Sequence, residues 1–296
     1  MQTLFRNIGP FLGRPNVSLR GYTTFRIGGP ARQLYEPRTL NDLRLALAAV
    51  RQMKDMPYYI LGGGSNLLIS DEGVNGAVIC MRRFQHRYIA RFGNTVRVSA
   101  GVRLRNLVRT TAAWGLCGLE DLAGIPGTVG GAVRMNAGTR EITIGSLASH
   151  VELMLSDGTV KRVRSSEIGW GYRSSNLGER VVVFVELGLR PGVPDEVSQR
   201  TTKALDLKRA SQPLSQPSAG CFFKNPDMAP AGKLLDEAGL KGAADGPAAV
   251  SQKHANFIVN RGGASARNVL DLVEHVRRVI KERYGVELES EVCLWP

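Results

Sequence analysis

Apolar positions recur at helical spacing in several stretches. Leu43, Leu47 and Val50 share one face of a segment from Leu40 to Val50, which Thr39 can cap with Asp42 three residues on. Val269, Leu272, Val273, Val276 and Ile280 line a second face, from a Ser265 N-cap to about Arg283, with Gly285 just past the end. Leu104 to Trp114 reads as a helix ended by Gly115, and Glu196 to Ala210 as a basic helix. Short apolar runs predict strands at Tyr58–Leu61, Ala77–Cys80 and Thr95–Ser99. Val151–Leu155 and Thr159–Val163 flank Ser156-Asp157-Gly158, a hairpin signal. Val181–Leu187 is apolar throughout and reads as a central strand. Pro191-Gly192-Val193-Pro194 looks like a linker or sharp turn, which puts a boundary near residue 192. Helices and strands are mixed, with hairpins beside α/β units, so the expected fold class is α+β.

Composition narrows the class. At about 150 residues per domain, a chain of 296 residues leads to an expectation of two domains. Hydrophobic residues make up 43% and charged residues 22%, which excludes a disordered chain, a coiled coil and a collagen. No apolar run approaches the roughly 18 residues of a membrane span. Met1 to Arg20 mixes charge, Gly and Pro, unlike a secretory signal. The four cysteines, Cys80, Cys117, Cys221 and Cys293, lie far apart with no CxxC or Cys/His cluster, so neither a zinc site nor a disulfide framework is expected. The expectation is a soluble cytoplasmic protein, with a monomer favoured. The net charge of +13 calls for an anionic partner without naming one.

The 34 glycines carry more information. Gly62-Gly63-Gly64-Ser65-Asn66 leaves a strand, and its consecutive N–H groups can form an anion-binding nest. Its spacing is neither GxGxxG nor GxxxxGK[ST]. Gly124-Ile125-Pro126-Gly127-Thr128-Val129-Gly130-Gly131-Ala132 continues to Asn136-Ala137-Gly138. Glycine this dense is entropically costly in a core, and reads better as backbone lying against a large ligand. Two such cradles suit a ligand with a pyrophosphate and an extended body, such as FAD. Tyr22-Thr23-Thr24-Phe25-Arg26-Ile27-Gly28-Gly29 adds hydroxyls and an Arg ahead of the first helix.

These three segments are followed, in order, by Tyr172-Arg173-Ser174-Ser175, by Ser218-Ala219-Gly220-Cys221-Phe222-Phe223-Lys224-Asn225-Pro226 and by His254-Ala255-Asn256-Phe257-Ile258-Val259-Asn260. Together they resemble the UDP-N-acetylenolpyruvoylglucosamine reductase (MurB) family of peptidoglycan synthesis, from about Leu19 to Val292. The short stretch between Arg173 and Val181 resembles the compact subtype, which lacks an inserted substrate-covering loop. The resemblance implies a two-lobed FAD-binding module of the vanillyl-alcohol-oxidase (PCMH) type at 1–192, split near 80–90. It implies a substrate-binding domain at 193–296. It further implies non-covalent FAD, NADPH as reductant, and reduction of UDP-N-acetylenolpyruvoylglucosamine to UDP-N-acetylmuramate.

Residue by residue, the resemblance assigns FAD binding to Tyr22, Thr24, Arg26, Gly62, Gly63, Gly64, Ser65, Asn66, Gly124, Ile125, Pro126, Gly127, Thr128, Gly130, Gly131 and Ala132. Arg173 matches the active-site Arg of a Tyr-Arg-x-Ser motif; a permanently charged guanidinium suits the charge that builds on an enolate and its carboxylate. Glu291 matches the C-terminal active-site Glu. Cys221 stands where the family more often has Ser as proton donor; a thiol also carries a transferable proton and is the stronger acid. Lys224 and Asn225 are expected near the uridine diphosphate, and Glu237 is a further substrate candidate. No metal is expected. Two places depart from the family pattern. Ser211-Gln212-Pro213 has Ser where relatives carry Lys, with Lys208 or Arg209 as substitutes, and the loop Gly242 to Pro247 is altered.

Three other readings stand beside this one. A second flavin oxidoreductase of the same superfamily, such as an aldonolactone oxidase, is disfavoured because neither glycine-rich segment holds a His for covalent flavin attachment. A nucleic-acid binder would explain the charge, but the basic residues are spread rather than clustered with aromatics. A catalytically dead paralogue would explain the altered loops.

Overall fold

A computed structural model describes residues 13–53 and 56–296. Most of the Met1–Arg20 segment, read above as unlike a signal, lies outside them.

The helices form where the apolar stripes and caps foretell. The first spans Leu40–Gln52, with the Thr39 hydroxyl accepting from the Asp42 N–H and the Asp42 carboxylate accepting from the Thr39 N–H, and it buries Leu43, Ala46, Leu47 and Val50. The last spans Ala266–Tyr284; Ser265 caps its start, Gly285 ends it at φ 68°, and all five expected face residues are buried. The basic helix spans Pro194–Ser211, so the Pro191–Pro194 stretch is no free linker. Arg190 and Pro191 pair with Cys117 and Leu116, and Pro194 then takes the first helical position, where its missing N–H costs nothing.

The chain divides into two compact units. The first takes in the described residues up to Pro15, Gln33–Gly63 and Gly76–Asp206. Its five-stranded sheet places Val181–Gly188 in the middle, between Ala148–Met154 and Thr95–Ser99. That position explains the unbroken apolar run: both strand faces are covered. The Ala148–Met154 strand turns at Asp157-Gly158 into Val160–Arg164, as the hairpin signal required. Two separate cores fill this unit. One gathers Val96, Leu107, Leu122, Val133 and Val185; the other gathers Leu43, Leu47, Ile79, Phe84 and Val183.

The second unit consists of Asn16–Arg32, Gly64–Asn75 and Leu207–Pro296. Its core combines Phe25, Ile27 and Leu68 with Phe222, Leu234, Ile258 and Val276. Ser218–Cys221 and Ala248–Val250 flank Phe257–Asn260, and Cys293–Trp295 runs parallel to Leu67–Ile69.

This division differs from a single cut at residue 192. Val197 is buried, and Ala204 and Leu205 pack on the first unit's core, so most of the basic helix belongs there. Conversely, Phe25, Ile27 and Leu68 are buried in one core with residues from Ala219 to Val292.

Candidate active site

In the first unit, the strand Tyr58–Leu61 ends at Gly62, and Gly62 and Gly63 run against Gly127 and Thr128. A Cβ on Gly62 would stand 2.8 Å from the Thr128 hydroxyl, and one on Gly63 would drive into the Gly127 Cα. Gly64 is likewise closed off, by the Tyr22 carbonyl. Gly63 and Gly64 are therefore required by the close approach of another backbone segment, and Gly62 is hemmed in by the Thr128 side chain, reasons the sequence reading did not contain. Gly131 differs: the nearest atom to a Cβ there is the Thr128 hydroxyl at 3.6 Å, so no neighbouring chain demands glycine.

The carbonyls of this loop are engaged. Gly63 O accepts from Arg82 Nη2 at 2.8 Å; Gly64 O accepts from the Thr24 N–H at 2.9 Å and the Thr24 hydroxyl at 3.3 Å. In a trans peptide the N–H points opposite to the C=O, so the N–H groups of Gly64 and Ser65 face away from these partners. Neither glycine-rich segment contains a carboxylate, and Arg134 adds a cation. A glycine loop with no carboxylate of its own, and a second segment that carries Arg134, suit a phosphate-bearing dinucleotide. Residues Val129–Arg134 form a short helix capped by Thr128; the Val129 and Gly130 N–H groups are spent on the Val102 and Ala100 carbonyls.

Arg173 occupies the tip of a small hairpin, between Trp170–Gly171 and Ser174–Ser175. Its φ is 50°, a left-handed conformation that costs a side chain with a Cβ roughly 1–2 kcal/mol. Its guanidinium carbon sits 4.9 Å from the centre of the Tyr172 ring. Buried Asn136 fixes the hairpin's base: its Nδ2 donates to Gly171 O at 3.0 Å and its Oδ1 accepts from Gly145 N at 3.1 Å. Ser175 Oγ donates to Arg134 O at 2.8 Å.

In the second unit, Cys221 ends the strand Ser218–Cys221 opposite Phe257. The chain beyond it is flanked by the C-terminal segment. Glu291 N donates to Phe222 O at 2.8 Å, Lys224 N donates to Glu289 O at 2.9 Å, and Phe223 stands opposite Ser290. Cys221 and Glu291 are thus carried on adjacent backbone segments, one residue apart in register. Asn66 supports this arrangement from the glycine loop: its Nδ2 donates to Glu291 O at 3.1 Å and its carbonyl accepts from Cys293 N at 3.0 Å. Asn66, expected at the cofactor, thus also ties the glycine loop to the segment that bears Glu291. Thr24 also has structural work, donating through Oγ1 to Ser218 O at 2.8 Å. Arg26 sits in the Thr23–Ile27 turn at φ 57°.

Lys224 Nζ meets a Glu289 oxygen at 2.9 Å, and this pairing holds the exposed Glu289 carboxyl below its ordinary pKa. Asn225 Oδ1 accepts from Ala231 N at 3.0 Å, holding the start of the helix Ala231–Glu237. Glu237 lies at that helix's exposed end, 3.7 Å from Lys233. Burial raises the Cys80 thiol pKa, consistent with its reading as a small buried hydrophobe.

Three polar residues at these places were given no role from sequence: Arg82, and Asn136 and Asn256 within their motifs. Asn256 carried a legible signal, because it interrupts an apolar run, which Asn260 ends four residues later. Both prove buried, at 2% and 5% exposure, and each bonds backbone groups of another segment. Among the described residues, no group of three or more His, Cys, Asp or Glu could hold a metal ion, and no helix is long and apolar enough to cross a membrane.

Residues 31–164 match the model of the FAD binding domain, and residues 212–295 match that of the C-terminal domain of UDP-N-acetylenolpyruvoylglucosamine reductase. UDP-N-acetylenolpyruvoylglucosamine reductase 2 of Symbiobacterium thermophilum is 42% identical over 279 residues, covering 94% of this chain and 90% of its own. The Moorella thermoacetica reductase is 42% identical over 286 residues, covering 95% and 92%. The crystal structure of the Thermus caldophilus enzyme superposes with a TM-score of 0.83 at 40% identity, covering 97% of this chain and all of that one.

Proposed function

Because the chain belongs to the UDP-N-acetylenolpyruvoylglucosamine reductase family, a family of FAD oxidoreductases of peptidoglycan synthesis, we propose that it reduces UDP-N-acetylenolpyruvoylglucosamine to UDP-N-acetylmuramate at the expense of NADPH. The reaction adds a hydride to one carbon of the enolpyruvyl double bond and a proton to the other. Bound FAD, once reduced by NADPH, would supply the hydride. The protein must then stabilise the negative charge spread over the enolate and carboxylate, and must deliver the proton.

Arg173 stabilises that charge through a guanidinium that is cationic at every working pH. Its left-handed backbone supports this role, since strain of this kind is held where position matters more than stability. Cys221 gives its Sγ proton to the enolate carbon and regains one from solvent after turnover. Glu291 engages the carboxylate. The observation that carries this reading is the link through Phe222: its neighbour is Cys221, and its carbonyl accepts from the Glu291 N–H at 2.8 Å. Lys224 offsets the charge of the diphosphate and exchanges Glu289 for it. Asn225 contributes by fixing the start of the Ala231–Glu237 helix.

The test uses the flavin-loaded enzyme. NADPH oxidation should depend on the enolpyruvyl sugar nucleotide and should not occur with lactones. Cys221→Ala should block substrate reduction while NADPH still bleaches the flavin, and Cys221→Ser should retain turnover. Normal turnover by Cys221→Ala would remove the thiol from the mechanism; a colourless protein that cannot be reconstituted with FAD would overturn the reading as a whole.

A further inference from the structure

The strand bearing Cys221 pairs regularly with Phe257–Asn260 only in part. Ser218 faces Val259 and Cys221 faces Phe257, with an irregularity between them where Gly220 adopts φ 83°. Beyond Cys221, the next ladder bonds would come from the backbone before Phe257. A side chain supplies most of them instead. Asn256 Oδ1 accepts from Phe223 N at 2.9 Å, and Asn256 Nδ2 donates to Phe223 O at 2.8 Å. The Asn256 carbonyl also accepts from Phe222 N at 2.7 Å. The remaining group, Phe222 O, accepts from Glu291 N at 2.8 Å.

All four backbone polar groups of Phe222 and Phe223 are thus accounted for, three by Asn256 and one by Glu291. A primary amide is the side chain that presents a donor and an acceptor together, as a peptide does. Its orientation is unambiguous, because Phe223 N–H can only donate and Phe223 C=O can only accept. Asn256 is itself held, its N–H donating to His254 Nδ1 at 3.2 Å. Asn256 is 2% exposed, so losing the amide would leave the buried N–H and C=O of Phe223 unpaired, two residues from Cys221 and beside Lys224.

We propose that Asn256 is the positioning residue of the proton-transfer step: its amide replaces a stretch of sheet ladder, and thereby sets the Cys221 thiol relative to the Glu291 carboxylate. The inference rests on Cys221 as proton donor. It adds a residue that touches neither substrate nor cofactor and acts through the backbone of Phe223.

The experiment separates the two half-reactions in the full-length, flavin-loaded enzyme. Flavin bleaching by NADPH needs no proton from Cys221; recolouring of the reduced enzyme by UDP-N-acetylenolpyruvoylglucosamine does. Both are followed anaerobically by stopped flow for wild type, Asn256→Ala and Asn256→Asp. The expected result is recolouring slowed about 100-fold in both variants, the scale of a displacement near 1 Å. Bleaching should be unchanged, and the solvent deuterium isotope effect on recolouring should rise. Asn256→Asp keeps the shape and the bond from Phe223 N, so it carries the test if Asn256→Ala does not fold. Wild-type recolouring in a folded variant would overturn the inference, as would an equal fall in both half-reactions, which marks general damage. Wild type that sugar nucleotide fails to recolour would refute the proposed function, and the inference with it.

Discussion

Arg173 couples strain to function in a way that two substitutions can separate. Arg173→Ala and Arg173→Gly both remove the guanidinium and its contact with the Tyr172 ring. They differ in the Cβ, which at φ 50° costs roughly 1–2 kcal/mol. Glycine surrenders part of that gain, about 0.5–1 kcal/mol, through the greater freedom of its unfolded chain. The glycine variant should therefore be the more stable by roughly 0.5–1 kcal/mol, or about 1–3 °C in Tm for a chain of this size. Both variants should lose reduction of the enolpyruvyl substrate by at least about 100-fold, the effect of removing one charge-stabilising donor. Thermal unfolding followed by circular dichroism at fixed flavin concentration, beside a steady-state NADPH assay, measures both quantities. An alanine variant melting at or above the glycine variant would show that the hairpin holds no strain at this residue. Full activity in either variant would remove Arg173 from the chemistry.

Gly63→Ala should fail to give a stable fold, because the new methyl meets the Gly127 backbone, which cannot yield as a flexible side chain would. Gly131→Ala should leave the flavin-free protein as stable, or more stable by up to about 1 kcal/mol through helix propensity, while weakening FAD retention; unchanged FAD affinity by fluorescence titration would show that no flavin lies against Gly131. Burial holds the His254 pKa below its ordinary value of 6.5, with Lys241 acting in the same direction and Asp236 against it. A depressed folded value means that the folded state resists protonation, so stability contributed by neutral His254 is present above about pH 6.5 and is lost as pH falls through the lower folded value. Urea unfolding of wild type and His254→Gln between pH 7.5 and 4.5 should show the steeper decline in wild type; parallel curves would mean that His254 titrates alike in both states.

What was legible in the chain was local. The Thr39–Asp42 cap, the Ser265 and Gly285 boundaries and the five-residue face of the last helix depend on residues within a turn or two of each other. The middle position of Val181–Gly188 was legible because a strand covered on both sides has no polar face to show. The motifs also pointed correctly to the family, since glycine, hydroxyl and basic residues occurred in its order along nearly the whole chain.

The tertiary structure decided matters of approach and partnership. A glycine needed because another backbone passes close looks the same in sequence as one needed by a ligand; only the fold separates Gly63 from Gly131. Sequence order alone suggested a cut at residue 192, yet Phe25, Ile27 and Leu68 are buried with residues beyond 218, because apolar surface is satisfied by whatever lies near in space. A polar residue in an apolar run announces that it needs a partner without naming it. Asn256 found two phenylalanine peptides beside Cys221, and Asn66 found the carbonyl of Glu291, through contacts spanning 33 and 225 residues of chain. Local periodicity and capping settled the elements, while hydrogen-bond satisfaction over long separations settled where the chemical groups stand.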